Sequence, residues 1–328
     1  DRPRRDREGI RNYRESTIEP TTPGQKSKFS EGGVKATSLL PLLDRDYDLP
    51  DVVSISEDDT PKKEYLALFT YFQAILDKIE MRTITLSDLA EIIKQRAVFA
   101  FAHACSGFDM SFDEGLGLIR DMGDGNLTVE EREKRDILLA AFDNLVDFAT
   151  VEEYQMLSEM LEKSNGEGTT DDDMEAIFSK YNDRYASVEN NDIEYALGIA
   201  AAWIGVNELT TITYTTQGDE RVRDSHRALD GLTFTKRNFP EWLIPPIDWG
   251  CRCYLVTEFG SNLLGKFDFP EDYKQNVNPV FARSIAKKGP IFSDAHPYFA
   301  VQKEHLKELK QISKTIKKKI LSSDGSNH

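Results

Sequence analysis

Cysteine is scarce in this sequence, and several common signatures are missing altogether. Only three of the 328 residues are cysteine, which excludes a disulfide framework and favours a reducing compartment. No apolar run approaches the ~18 residues of a membrane span, so a membrane partner is not expected. The chain opens DRPRRDREG, which predicts no secretory signal and suggests a processed chain. A Walker A sequence and a dinucleotide fingerprint are missing too, which disfavours nucleotide chemistry.

Charge is plentiful, but it is mostly negative. The net charge of −16 argues against a dedicated duplex-DNA binder, which should be basic. The charge is unevenly spread: residues 151–194 hold thirteen acids against three bases, and residues 301–320 hold seven Lys against two Glu. The opening fourteen residues hold six Arg against three acids. Basic ends leave contact with anionic surfaces open, although solvated helix faces explain such patterns more often.

The chain divides into four parts by its patterning. Residues 1–60 lack sustained periodicity and predict an extended arm that becomes ordered only against a partner. Residues 61–208 show apolar three-to-four spacing, which predicts a helical domain. Strand signals and clustered prolines predict a small module over 209–300, and 301–328 predict a basic amphipathic helix and tail. The predicted class is therefore α+β: a mostly helical N-terminal domain, a small α+β module and a basic C-terminal helix.

Local signals place some of these elements more finely. Two capping boxes, Thr128 with Glu131 and Thr150 with Glu153, predict that a separate helix begins after each threonine. The segments TTITYTT and CYLVTEF are β-branched and aromatic, and they predict two strands.

The candidate chemistry lies in a C-R-C motif and the histidine that precedes it. Cys251 and Cys253 are one residue apart, a spacing that suits neither a relaxed mutual disulfide nor most zinc motifs. Together with His226 they offer three ligands for one soft metal ion. Two alternatives stay open: small buried residues beside a structural histidine, or a Cys–His nucleophile oriented by Asp219 or Asp230.

A mixed-charge group precedes the histidine. Asp219, Arg221, Arg223 and Asp224 stand within six residues of one another. Such a group could clamp a partner, but it is more often an ion-pair network that fixes a turn. The structural interpretation is therefore favoured for these four side chains.

A longer pattern runs through the same stretch of the chain. It reads D-x-R-x-R-x-x-H-x-x-L-D-G, then a proline-containing loop, then C-R-C before an apolar strand. The residues that carry it are Tyr214, Thr215, Asp219, Arg221, Arg223, His226, Leu229, Asp230, Gly231, Pro245, Pro246, Cys251, Arg252 and Cys253. Over about residues 195–260 this pattern resembles the phage Mu F-like minor head protein family.

The resemblance implies a structural protein of head morphogenesis rather than an enzyme. Such a protein lies in several copies in the virion interior near the portal vertex, after assembly in the host cytoplasm. Its implied partners are the portal protein, the inner capsid and the scaffold, with a role in DNA ejection. The basic termini add an expectation of weak contact with packaged DNA. The alternatives from other classes are a virion-carried enzyme using the Cys–His pair and a packaged DNA-binding protein.

The resemblance also bears on the metal. Some relatives carry cysteines at the positions of Arg223 and His226, which would complete a four-cysteine zinc site. Transferred to this chain, it implies zinc on His226, Cys251 and Cys253. The fourth ligand stays open among Asp219, His296 and water. The remaining motif residues are expected to shape the module: Asp219, Arg221, Arg223, Leu229, Asp230, Gly231, Pro246 and Arg252.

Overall fold

The structure is a computed structural model that describes residues 60–120, 127–166, 168–258 and 271–322. The predicted arm over residues 1–60 lies outside the described residues, apart from Thr60 at the start of the first helix. The described part is mostly helical and carries a small antiparallel sheet and a C-terminal helix, so the predicted α+β class is confirmed. None of the described helices is long and apolar enough to cross a membrane.

The helices form a bundle in which α2 packs against α4 and α6. In chain order the helices are α1 (Thr60–Glu80), α2 (Ala90–Gly107), α3 (Phe112–Arg120), α4 (Val129–Lys163), α5 (Asp171–Ser179), α6 (Ala186–Ile204), α7 (Asp224–Arg227) and α8 (Leu306–Ser322). A π-helical stretch, Lys180–Tyr185, joins α5 to α6. The buried rings of Phe72, Phe101 and Phe142 belong to the core, and Phe101 meets Phe142 edge to face at 5.3 Å.

The two predicted capping boxes have different outcomes. The box at Thr128 is confirmed, because its side chain accepts from the backbone of Glu131 at the start of α4. The helix start predicted at Thr150 is wrong, because α4 continues without a break for 35 residues. The Thr150 hydroxyl instead donates to the carbonyl of Val146, one turn earlier, at 2.7 Å. Glu153 lies in the core, where it cannot cap a helix end.

Charged side chains are buried where α2, α4 and α6 meet. The Arg96 cluster consists of Arg96, Glu152, Glu153 and Glu189, each at most 1% exposed. Arg96 Nε lies 3.0 Å from Glu152 Oε2, and Arg96 Nη2 lies 2.8 Å from Glu189 Oε2. Burial raises the pKa values of all three glutamates, that of Glu153 to about 8. One guanidinium cannot neutralise three buried carboxylates, so the cluster retains protons at neutral pH.

The sheet has three antiparallel strands in the order β2-β1-β3. β1 is Thr211–Thr215, β2 is Thr233–Thr235 and β3 is Tyr254–Glu258. β1 and β3 fall on the two predicted strand segments, whereas β2 was not predicted, because three residues give too short a pattern. The central strand β1 therefore lies between β2, which follows α7, and β3, which follows the C-R-C motif.

Candidate functional site

The turn after β1 places His226 on the short helix α7. Thr216 N donates to Asp230 Oδ1 at 2.6 Å, and Gly231 N donates to the carbonyl of Tyr214 at 2.9 Å. Gly231 has a φ of +82°, a conformation that glycine adopts without steric cost. These contacts close the loop between β1 and β2 on itself. The motif residues Asp230 and Gly231 therefore fix the backbone of the loop that contains His226.

The structure brings His226, Cys251 and Cys253 together in one buried cluster. His226 Nδ1 lies 3.3 Å from Cys253 Sγ and 3.8 Å from Cys251 Sγ. The three ligand atoms all lie within 4.8 Å of one another, and no side chain of the three is more than 4% exposed. The other ring nitrogen, Nε2, faces Asp248 Oδ2 at 3.8 Å. The geometry offers three soft donors to one point.

The charges in this cluster favour a thiolate beside a protonated histidine. A hydrogen bond from Cys251, aided by one from His226, lowers the pKa of Cys253 to about 5 despite burial. Burial and the neighbouring Cys253 raise the pKa of Cys251. Burial alone would lower the pKa of His226, but the nearby Asp248 carboxylate and the hydrogen bond with Cys253 raise it. One sulfur is therefore already in the form that binds a metal.

Two side chains of helix α6 form hydrogen bonds with the backbone of the C-R-C loop. Both carboxylate oxygens of Asp192 accept the backbone N–H of Gly250 at 3.0 Å. Gly250 has a φ of +58°, which favours glycine before Cys251. One turn further along α6, the Tyr195 hydroxyl donates to the carbonyl of Cys253. Sequence reasoning missed Asp192 and Tyr195, although polar residues three apart in an apolar helix were an available signal.

Replacing Asp192 by Ala should lower the free energy of unfolding by about 0.5–1.5 kcal/mol, because the Gly250 N–H loses its hydrogen bonds to the carboxylate. Thermal or urea unfolding of the full chain measures the loss. Asn191→Ala, at the exposed neighbouring position, is the matched control and should change stability by less than about 0.5 kcal/mol. Equal stabilities for the two variants would mean that this contact does not hold the loop.

The mixed-charge group forms ion pairs, but its main partner is a residue of the C-R-C motif. Arg252 binds Asp219 with two hydrogen bonds of 2.8 Å, and both side chains are about 40% exposed. The backbone of Arg221 donates to Asp219 Oδ1 at 3.1 Å. Arg223 Nε lies 3.7 Å from Asp248 Oδ2. The predicted network thus joins the turn to the C-R-C loop as well as fixing the turn itself.

The remaining predicted residues lie around the cluster rather than in it. Leu229 and Pro246 are buried in the module core. His296 lies apart from the cluster, where its Nδ1 accepts the backbone N–H of Tyr298 at 3.1 Å. With Asp219 bound to Arg252, neither side chain that the sequence left open as a fourth ligand lies in the cluster.

The buried hydroxyl of Tyr214 is another polar group near the sulfurs of Cys251 and Cys253. Its side chain is fully buried in the middle of β1. Burial, followed by the charges of Cys251 and Cys253, raises the pKa of this hydroxyl. Tyr214 belongs to the sequence motif, but its place against the thiols becomes visible only once β1 and β3 are paired.

The three strands and the C-R-C loop form a small module around the buried side chains of His226, Cys251 and Cys253. Helix α6 of the bundle contacts this module through Asp192 and Tyr195. Residues 167–256 match the family model described as Phage Mu protein F like protein. The match spans α6, the three strands and the whole His226–C-R-C cluster apart from the end of β3. The resemblance seen in the sequence is therefore confirmed: this part of the chain is a Mu F-like segment. The family is one of structural phage proteins, and residues 167–256 of this chain are similar to them.

Other comparisons add little about the rest of the chain. The chain is 55% identical over 45 residues to an uncharacterized protein of Methanocaldococcus jannaschii. That stretch covers 14% of this chain and 7% of the archaeal protein, so the chain spans less than a tenth of that relative. No solved structure matches the chain.

Proposed function

We propose that the chain acts as a minor head protein in the virion interior, near the portal vertex. It binds the portal or the inner capsid, supports head morphogenesis in several copies and takes part in DNA ejection. The observation that carries this proposal is the Mu F-like match over 167–256, which coincides with a closed module whose motif side chains contact one another. Because the motif residues contact one another, their role is to stabilise the module, and a structural component of a particle needs such a role.

The proposal includes one zinc ion on His226, Cys251 and Cys253, with a structural role. Imidazole and thiolate are the ligands that zinc prefers in structural sites. His226 presents Nδ1 to both sulfurs and Nε2 to Asp248, and a carboxylate behind a ligating histidine is a common second contact in zinc sites. Water would take the fourth position. The ion would fasten α7 to the segment before β3.

An enzyme based on the Cys–His pair fits the structure less well. The 3.3 Å contact and the low pKa of Cys253 would suit a nucleophile. However, Cys253 and His226 are each only 3% exposed, so a substrate cannot reach the sulfur in this conformation. Burial of all three side chains instead favours a role in holding the module together.

Replacing Cys251 and Cys253 by Ser should reduce the yield of filled heads without removing any turnover. In a phage that carries the gene, both variants are supplied in place of the wild-type protein, and heads are counted by electron microscopy. Arg237→Ala, at an exposed position in the same module but outside the motif, is the control and should leave head yield unchanged. Discovery of a hydrolase or transferase activity that is lost in Cys251→Ser would overturn the architectural proposal.

A further inference from the structure

An apolar cleft opens between the first turns of α8 and the middle of α4. It has a volume of about 190 Å³, and its lining is mainly carbon. Val151 and Phe299 lie against it, Leu309 borders it, and Leu306 stands at its rim with 37% of its surface exposed. An apolar cavity of ~150 Å³ can hold one benzene ring. The cleft is therefore large enough for one or two apolar side chains from another segment.

Unpaired lysines follow the outer face of α8 beside this cleft. Lys307, Lys310, Lys314 and Lys318 are spaced by three or four residues, which places them on one face, and Lys303 precedes them by one turn. All five are exposed, and within the described ranges none has a carboxylate partner. Lys310 also lines the cleft. The lysine stripe, as these five residues are called below, thus borders an apolar cleft.

Other lysines of the same helix are neutralised within the chain. Lys317 lies 3.3 Å from Asp143 and 3.0 Å from Asp147, and Lys319 lies 3.6 Å from Glu91. The helix therefore separates lysines that serve its own packing from lysines that are left for another group. The exposed lysines on the outer face of α8 therefore favour an acidic binding partner.

The combination of cleft and stripe selects a peptide rather than a nucleic acid or a membrane. A phosphate backbone would use the lysines but has no apolar group for the cleft. A membrane-surface helix needs an exposed apolar stripe, whereas Leu309, Ile312 and Ile316 of α8 are buried and only Leu306 is exposed. A peptide segment with carboxylates and bulky apolar side chains fits both features.

The chain itself carries a sequence with this chemistry directly before α1. Residues 47–59 read YDLPDVVSISEDD, with five acids, no lysine or arginine, and the apolar residues Leu49, Val52, Val53 and Ile55. The five acids match the five lysines of the stripe in number. Because the segment is tethered to the helical bundle, its effective concentration at the cleft is in the millimolar range or above.

The start of α1 lies within reach of the cleft. Pro61 borders a surface depression that Asn182 also lines, and the neighbouring Tyr181 ring lies 5.8 Å from the ring of Tyr298. Phe299, the next residue, lines the cleft. A chain of thirteen residues can span up to ~43 Å when extended. Few side chains separate the two places, so the segment is long enough.

We propose that residues 47–59 bind in cis to this surface, with an apolar side chain in the cleft and carboxylates on the lysine stripe. The proposal concerns only the last part of the predicted arm, and it does not depend on the proposed head function. It adds an intramolecular partner for a segment that the sequence alone predicts to need one.

The test is photo-crosslinking within the full chain. Leu306→p-benzoylphenylalanine places the reactive group at the exposed rim, and peptide mass spectrometry identifies the adduct. Mixing isotope-labelled and unlabelled protein separates adducts within one chain from adducts between copies. The expected result is an adduct to residues 47–59 of the same chain. An adduct elsewhere, an adduct only between copies, or no adduct overturns the proposal.

Charge reversal tests the role of the lysines. Lys307→Glu with Lys310→Glu should lower the adduct yield by about fivefold, since two exposed ion pairs become repulsive. Asp48→Lys with Asp51→Lys should restore the yield in that background. Lys62→Glu with Lys274→Glu, at exposed positions outside the stripe, makes the same change in net charge and should leave the yield unaltered. An equal loss in this control, or no rescue, would contradict the assigned contact.

Discussion

Replacing Arg96 by Met should lower the free energy of unfolding by about 3–5 kcal/mol, the usual cost of removing one partner from a buried ion pair. The side chain is 1% exposed and contacts Glu152, Glu189 and Asn190 within 3.0 Å. Without the guanidinium, Glu189 must either stay charged in the core or take up a proton, and both cost free energy. Lys94→Met, on the same helix but partly exposed, is the control and should cost less than about 0.5 kcal/mol.

Urea unfolding across a pH series tests the protonation of the glutamates in the same cluster. The pKa of Glu153 is about 8 in the folded chain and ~4.3 when unfolded, so the native state binds the extra proton between these values. Stability should therefore fall as pH rises through this window and change no further above it. Glu153→Gln should flatten the slope. A slope that is unchanged in Glu153→Gln, or an Arg96→Met variant as stable as wild type, would contradict this description of the core.

The sequence predicted the helices best where apolar spacing was regular, and it failed where a local signal competed with packing. The Thr150–Glu153 pair has the spacing of a capping box, yet both side chains are buried in the middle of α4. Arg96 of α2 pairs with the neighbouring Glu152, and its charge also acts on Glu153, although Arg96 is more than fifty residues away in sequence. Local pattern cannot reveal a partner that arrives from a distant helix.

The sequence pointed to the three clustered side chains of the site but not to the residues that support them. His226, Cys251 and Cys253 stood out because cysteine and histidine are rare in this chain. Asp192 and Tyr195 lie in a helix that reads as ordinary packing surface, and their roles depend on how α6 meets the C-R-C loop. Asp219 could not be assigned to Arg252 from spacing alone, since Arg221 and Arg223 are nearer in sequence.

Removal of the proposed zinc ion should have the other large effect. At a thousandfold excess over its dissociation constant, a ligand that binds only the folded state adds ~4 kcal/mol of stability. A chelator should therefore lower the melting temperature of the wild-type chain, and zinc should restore it. The unfolded chain has no preformed site, so binding acts directly on folding. Elemental analysis of the purified protein should find about one zinc per chain, as one three-donor cluster implies.

A histidine control separates metal loss from general damage. His226→Ala should abolish zinc binding and make the melting temperature indifferent to chelator. His305→Ala removes another histidine, one that contacts Tyr154 and stands outside the cluster, and it should keep both the zinc and the chelator response. Wild-type protein that is metal-free and indifferent to chelator would reduce the three residues to packing and hydrogen-bonding partners.

The location of the chain in the particle tests the central claim most directly. We expect an asymmetric reconstruction of purified heads, combined with crosslinking mass spectrometry, to place a few copies of this chain inside the capsid at the portal vertex. Crosslinks should join it to the portal protein or the inner capsid. Heads that lack the chain, or that carry it equally at every vertex with no crosslink to either partner, would contradict the proposal that it is a minor head protein.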